Sequence, residues 1–184
     1  VCYLAAMAPW LARNVATIGR PLSTAGTQTI WLTGYDDLYS YGVALTPRSY
    51  LSWGLANILR SKLDGLWKNL GQVAFAGWMI YLFPLGVLGM WRLRARIELR
   101  AAWIYLAALY AAMSLVFTYP GIRGGMFHSL AALLPALYVA AVEGLDAAVE
   151  WVARRRRHWR ATEAKRVFRG AAVAFAVVLS VVLY

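Results

Sequence analysis

The sequence predicts an all-α fold: a polytopic helical bundle set in a membrane, with one extracytoplasmic loop that carries an interfacial amphipathic helix. Three observations point there. Hydrophobic residues make up 61% of the 184 residues and charged residues only 15%, whereas a soluble domain is about half apolar and about a quarter charged. The apolar residues are gathered into blocks of spanning length. Twelve of the nineteen Lys and Arg residues lie in two short segments, 92–100 and 154–169, each wedged between such blocks. That placement sets topology and meets anionic lipid. The formal net charge of +11 is therefore assigned to membrane flanks, and no nucleic-acid partner is expected.

Residues 1–12, VCYLAAMAPWLA, are uncharged and predict the last turns of a span, with Trp10 and Arg13 at the water interface. Gly19, Pro21 and Gly26 then mark irregular backbone, and 22–35 is rich in Ser, Thr and Gly. The segment TIWLTGYDDLYSYG places aromatics at 31, 35, 39 and 41 around Asp36 and Asp37. After Pro47 a helical pattern begins. Leu51, Leu55, Ile58, Leu59, Leu63, Leu66, Trp67 and Leu70 fall on one half of the wheel, with Asn57, Arg60, Ser61, Asp64 and Lys68 on the other. Lys62 is the exception on the apolar half. Such a helix suits the membrane surface.

Val73–Trp91 and Ala101–Tyr119 are two uncharged runs of spanning length, the first with Pro84 inside it. A third run, 124–145, holds His128 and Pro135, and Glu143, Asp146 and Glu150 carry its helical pattern onward. A last run occupies 170–184. Val1 stands inside an apolar run and Tyr184 inside another, so the chain is expected to be a fragment of a longer polytopic protein. The two basic segments are separated by two spans and so share a side, which the positive-inside rule makes cytoplasmic. Residues 13–72 and the stretch PGIRGGMFHS (Pro120–Ser129) then face outward. The expected location is the cell membrane, with the bilayer as the first partner.

Cys2 is the single cysteine, so no intrachain disulfide forms. His128 and His158 stand far apart with no acidic or cysteine cluster between them, and no metal site of soluble type is expected. No P-loop, dinucleotide fingerprint or Ser/His/Asp grouping is present. The outer face collects Arg13, Asn14, Asp36, Asp37, Arg123 and His128. Arg123 is the leading candidate, because a guanidinium at a membrane interface binds two phosphate oxygens at once. The glycines beside it let backbone approach a ligand closely, and an ionisable group at a span's mouth is a functional candidate by default. The plainer alternative is a short turn whose arginine faces headgroups. Asp36 and Asp37 read equally as turn residues, since neighbouring side chains point different ways.

PWLARNVATIGRP, WLTGYDDLYSYG, the surface helix ending at LWKNLG, and YPGIRGGMFHSLAALLPAL resemble the GT-C membrane glycosyltransferases. They are most similar to the bacterial protein-mannosyltransferase-like branch, as a C-terminal part. That resemblance implies sugar transfer from a polyprenyl-phosphate donor on the outer face. It implies donor-phosphate binding by Arg123, His128 and Arg13, with acceptor or sugar contacts at Asp36, Asp37 and Asn14. It also implies that the catalytic base lies in a first outer loop outside this stretch, so none is assigned here. No cofactor is evident, and a divalent cation in a longer chain stays open. The alternative is a non-catalytic transporter or flippase component for a lipid-linked substrate.

Overall fold

In the computed structural model, which describes residues 2–21, 26, 28–40, 42–156 and 158–183, every regular element is helical. Val1, most of the stretch 22–27, Tyr41, Arg157 and Tyr184 lie outside the described residues. Helix α1 (Cys2–Ile18) carries Pro9 inside it and runs past residue 12, where the sequence placed its end. No glycine or proline follows Pro9 until Gly19. There a left-handed glycine (φ 70°) ends the helix, its N–H bonded to the Val15 carbonyl at 3.0 Å.

Helix α2 (Pro47–Ser52) starts on a capping box. The Thr46 hydroxyl accepts the Ser49 N–H (3.2 Å), the Ser49 hydroxyl accepts the Thr46 N–H (3.1 Å), and Pro47 occupies the first turn. Gly54 (φ 96°) separates it from α3 (Leu55–Gln72). The α3 wheel divides differently from the two-sided pattern expected. Leu55, Leu59, Leu63 and Trp67 form an exposed apolar stripe (58–80% exposed), while Ser61, Gly65 and Asn69 are buried one turn apart. The protein-facing side is therefore the small and polar one, and the apolar side faces out. Lys62 lies beside the buried stripe, which explains its place among the leucines.

The run Val73–Trp91 is not one straight spanning helix. A wide, π-type turn (Val73–Gly77) continues α3, then Met79 (φ 50°) and Ile80 (φ 61°) turn left-handed before α4 (Phe83–Leu93). Pro84 accounts for the break: in a continuous helix its ring would clash with the Ile80 carbonyl and it would donate no hydrogen bond. The two left-handed residues cost roughly 1–2 kcal/mol each. The segment 92–100 is mostly helical too, since α5 (Ile97–Ala111) starts soon after α4 ends and only Arg94–Arg96 join them. A second wide turn (Ala112–Val116) extends α5. Helix α6 (Met126–Leu130) leads through Ala131–Leu133 into α7 (Leu134–Ala153). The final helix, α8 (Ala161–Leu183), absorbs the second half of the basic segment 154–169.

Two helical stretches, Ile97–Val116 and Thr118–Ala153, are long and apolar enough to cross a membrane. The core is built from Trp78, Leu82, Leu106, Leu109, Met126, Leu130 and Leu137. Trp78 is 2% exposed and donates its indole N–H to the Leu137 carbonyl at 2.8 Å. Its ring rests on Gly86, where a Cβ would come within 2.3 Å. Helices α4 and α7 make the closest crossing, at Gly89 and Gly144. A Cβ on Gly89 would lie 1.7 Å from the Ala140 carbonyl oxygen, and one on Gly144 1.8 Å from that of Leu85. Small residues that let two backbones touch are the usual means of association in lipid.

At the far end of this crossing the acidic residues of α7 meet cations from two helices. Arg92 reaches Glu143 (3.5 Å) and Glu150 (3.4 Å), and Lys165 reaches Glu150 (2.6 Å) and Asp146 (3.5 Å). Arg169 holds Asp146 by two hydrogen bonds, from Nε at 2.9 Å and from Nη2. Asp146 is only 8% exposed, so removing its charge leaves Arg169 short of a partner. Asp146→Asn should cost about 1–2 kcal/mol, less than a fully buried pair because Arg169 stays half exposed. Thermal unfolding in detergent checks this. Arg169→Gln should cost a similar amount and the double variant clearly less than the sum; strict additivity would show that the pair contributes nothing.

Candidate functional site

The stretch Pro120–Ser129 is helical and kinked rather than a loop. The chain breaks at Phe117 (φ −100°, ψ 51°), makes one helical turn (Thr118–Pro120), and passes through a wide turn (Gly121–Gly125) into α6. Pro120 sits in the first turn, where its missing N–H leaves no helical bond unmade. Gly121 touches the preceding helix: a Cβ there would lie 2.3 Å from the Met113 carbonyl oxygen. The kink itself falls on Arg123 (φ −94°, ψ 18°) and Gly124 (φ 117°, ψ −12°). Only glycine adopts the second of these readily, and the first lies in the sparsely allowed bridge region where many functional residues sit.

A side chain from α3 holds both sides of this kink. The Gln72 amide donates to the carbonyls of Gly121 (3.3 Å) and Ile122 (3.1 Å), and its oxygen accepts the Phe127 N–H at 3.0 Å. Behind it, fully buried Asn69 donates to the Ser114 hydroxyl at 3.1 Å. Buried polar groups linked this way fix one arrangement, since any break leaves a partner unsatisfied. Neither Asn69 nor Gln72 was singled out from sequence. Their signal was present but quiet: two amides three positions apart at the end of a helix whose other polar residues are mostly charged.

The guanidinium of Arg123 lies 4.8 Å from the Tyr35 ring centre. Among the described residues it has no ion pair and no hydrogen bond, and it is exposed. Tyr35 in turn meets the Tyr39 hydroxyl at 3.3 Å. The hydrogen bond between the two hydroxyls leads in pushing Tyr39 above its ordinary pKa, and Arg123 acts in the opposite direction. His128 stands beside the same kink, since a Cβ on Gly124 would come 3.7 Å from its Cδ2 and Nε2. Its ring packs edge-on against Phe127. The structure thus gathers Arg123 and His128 at one place.

The other expected residues are placed differently. The Asp37 carboxylate is spent within its own loop, one oxygen accepting from Thr33 N (3.1 Å), Thr33 Oγ1 (2.8 Å) and Gly34 N (2.7 Å). Asp36 is exposed, and its carbonyl, not its carboxylate, accepts from Ser40. The two acids do not converge. The Asn14 amide donates to the Pro21 carbonyl at 3.1 Å and closes the turn after α1. Arg13 is exposed on α1, which has no extensive packing with the elements that carry Arg123 and His128.

Lys62 supplies a second cation that sequence reasoning treated only as an exception. Its ammonium donates to the Thr118 hydroxyl at 2.7 Å and stands 5.5 Å from the Tyr50 ring centre. The loop 29–38 seats these aromatics, with Leu32 buried and the rings of Trp31 and Tyr50 5.9 Å apart. The helical turn Thr118–Arg123 is therefore flanked by two cations, each against an aromatic face. Among the described residues no three His, Cys, Asp or Glu side chains gather where they could hold a metal ion. Comparison with known proteins adds no relative: no family model, curated protein or solved structure matches the chain.

Proposed function

We propose that this chain is part of a multi-pass GT-C-type membrane glycosyltransferase that moves a sugar from a polyprenyl-phosphate donor on the extracytoplasmic face. In this reading Arg123 binds the donor phosphate, and His128 donates a further hydrogen bond to it. The observation that carries the reading is an exposed guanidinium with no carboxylate partner among the described residues, braced on Tyr35 at a glycine kink. A cation so placed stabilises the charge that grows on the lipid phosphate as the sugar departs. The aspartate that would deprotonate the acceptor belongs, by the resemblance, to a preceding outer loop. The Asp37 carboxylate is already engaged by Thr33 and Gly34 within its own loop and is not assigned that role. Arg13, away from the kink, is the weakest of the three phosphate candidates.

The topology in this reading puts 92–100 and 154–169 inside and Pro120–Ser129 outside. Arg92 at the end of α4 bonds Glu150 at the end of α7, which supports a shared end for the two basic segments. With Cys2 replaced by serine, a cysteine at exposed Tyr39 should label from outside intact cells, and one at Arg156 only after permeabilisation. The reverse pattern overturns the topology and the site together. For the reaction, membranes carrying the full-length protein should transfer labelled sugar from a polyprenyl-phosphate donor to acceptor. Movement of the donor across the bilayer with the sugar–phosphate bond intact would establish the transport alternative instead.

A further inference from the structure

We propose that the groove between α7 and α8 is a binding site for an anionic phospholipid, one acyl chain lying in the groove and the phosphate at its Arg166–Arg169 end. The groove holds about 390 Å³ and is lined almost wholly by apolar groups, among them Leu82, Tyr138, Val142, Ala172 and Ala176. Its floor is the broken segment at 79–82, so it exists because Pro84 interrupts the helix there. One polar group on that floor, the Tyr81 hydroxyl, already donates to the Ala172 carbonyl at 2.8 Å. The interior therefore asks only for hydrocarbon.

What distinguishes this groove from an ordinary lipid-facing surface is the way α8 changes along it. Thr162, Lys165, Arg166 and Arg169, each with a polar or cationic end, line a second depression. Arg169, Ala172, Val173 and Ala176 line the apolar groove. Both sets follow the spacing i, i+3, i+4, i+7, so they form one continuous face that turns from cationic to apolar at Arg169. From Lys165 to Ala176 this face runs about 16 Å along the helix.

The charge at its polar end is not fully neutralised within the chain. Asp146 takes Nε and Nη2 of Arg169, and Glu150 takes Lys165. Among the described residues Arg166 has no ion pair, and it is exposed. Arg154, Arg155 and Arg156 add positive charge at the preceding turn. A ligand that matches the face must be anionic at one end and aliphatic at the other. A transmembrane segment would satisfy the groove but not the cations, whereas basic pockets between helices take anionic headgroups. The proposal rests on membrane location alone, so it stands or falls separately from the transferase reading.

The test is native mass spectrometry of the full-length protein in nonionic detergent, titrated with dioleoyl phosphatidylglycerol or dioleoyl phosphatidylcholine. Phosphatidylglycerol should bind first, at one per chain and about tenfold more tightly. Arg166→Gln, at an exposed position, should weaken phosphatidylglycerol about fivefold and leave phosphatidylcholine unchanged, the effect of one cation near an anionic lipid. Ala176→Phe should fill the groove and abolish the tight binding. Val178→Phe, on the same helix but outside the groove, should not. Equal affinity for the two lipids overturns the proposal, as does an Arg166→Gln protein that binds like the parent. A change of oligomeric mass in Ala176→Phe, with lipid binding retained, would show that a second copy occupies the groove and would also overturn it.

Discussion

Gly144→Leu should abolish the packing of α4 on α7, and even Gly144→Ala should destabilise the protein by roughly 1–3 kcal/mol or more, the range of overpacked cores. The added methyl would meet the Leu85 carbonyl oxygen at 1.8 Å and the Gly89 nitrogen at 2.9 Å. Both are backbone atoms of a helix and cannot swing aside, so the whole of α4 must retreat. That movement pulls Trp78 off the Leu137 carbonyl and unseats the ring from Gly86. Gly170 and Gly71 provide the internal comparison, because a Cβ at either meets nothing within 4 Å. Gly170→Ala should be neutral or stabilising by about 0.5–1 kcal/mol through helix propensity alone. Thermal unfolding of these three variants and of Gly71→Ala in detergent separates the cases. If Gly144→Leu melts with Gly170→Ala, the crossing described above is wrong.

Arg123→Ala in the full-length protein should lower transfer from the lipid-linked donor by about 10²–10³-fold, the usual loss when one charge-stabilising donor is removed. Its amount in the membrane should not change. Arg123 is exposed and makes no ion pair among the described residues, and its contact with Tyr35 contributes only about 0.5–1 kcal/mol. Arg123→Lys should recover part of the rate, since an ammonium keeps the charge but loses the two-pronged fit to phosphate. Tyr35→Leu should act in the same direction and more weakly, by freeing the guanidinium from its brace. Full activity in Arg123→Ala would end the phosphate assignment. Equal loss in Arg123→Ala and in a poorly inserted control would reduce it to a folding effect, so both are measured at matched protein levels.

How legible these features were depends on whether their cause is local. Apolar periodicity gave α3 its existence, and uncharged runs of spanning length gave α5 and most of α7, because both are properties of the segment itself. The break at 78–82 was half legible: Pro84 signals a disturbance, but a proline inside a run tells neither a kink from a full interruption nor which residues turn left-handed. Pro120 misled in the opposite sense, since a proline beside glycines reads as a turn yet is welcome in a helix's first turn. Gly89 and Gly144 carry no signal of their own, for a glycine in an apolar run looks the same whether it touches another backbone or open lipid. The acidic face Glu143, Asp146 and Glu150 was periodic from the start, but its choice of Arg92, Lys165 and Arg169 is made only by tertiary packing. Arg123 and His128 were singled out together because they share one short stretch. Lys62, Asn69 and Gln72 reach the same place from another helix and so were missed.

The bond from Trp78 to Leu137 joins residues 59 positions apart, and that separation sets a schedule for a chain made from its N-terminus. At translation rates of about 5–20 residues per second, Trp78 waits roughly 3–12 s for its acceptor to be synthesised. During that interval the indole N–H and the glycine face of α4 have no partner within the chain. Helix α5 and the kinked segment after it must be placed before α7 can close over them. The nascent protein thus passes through a stage in which its first two tightly apposed surfaces are half built, and it is in that window that a chaperone or an insertase would have something to hold.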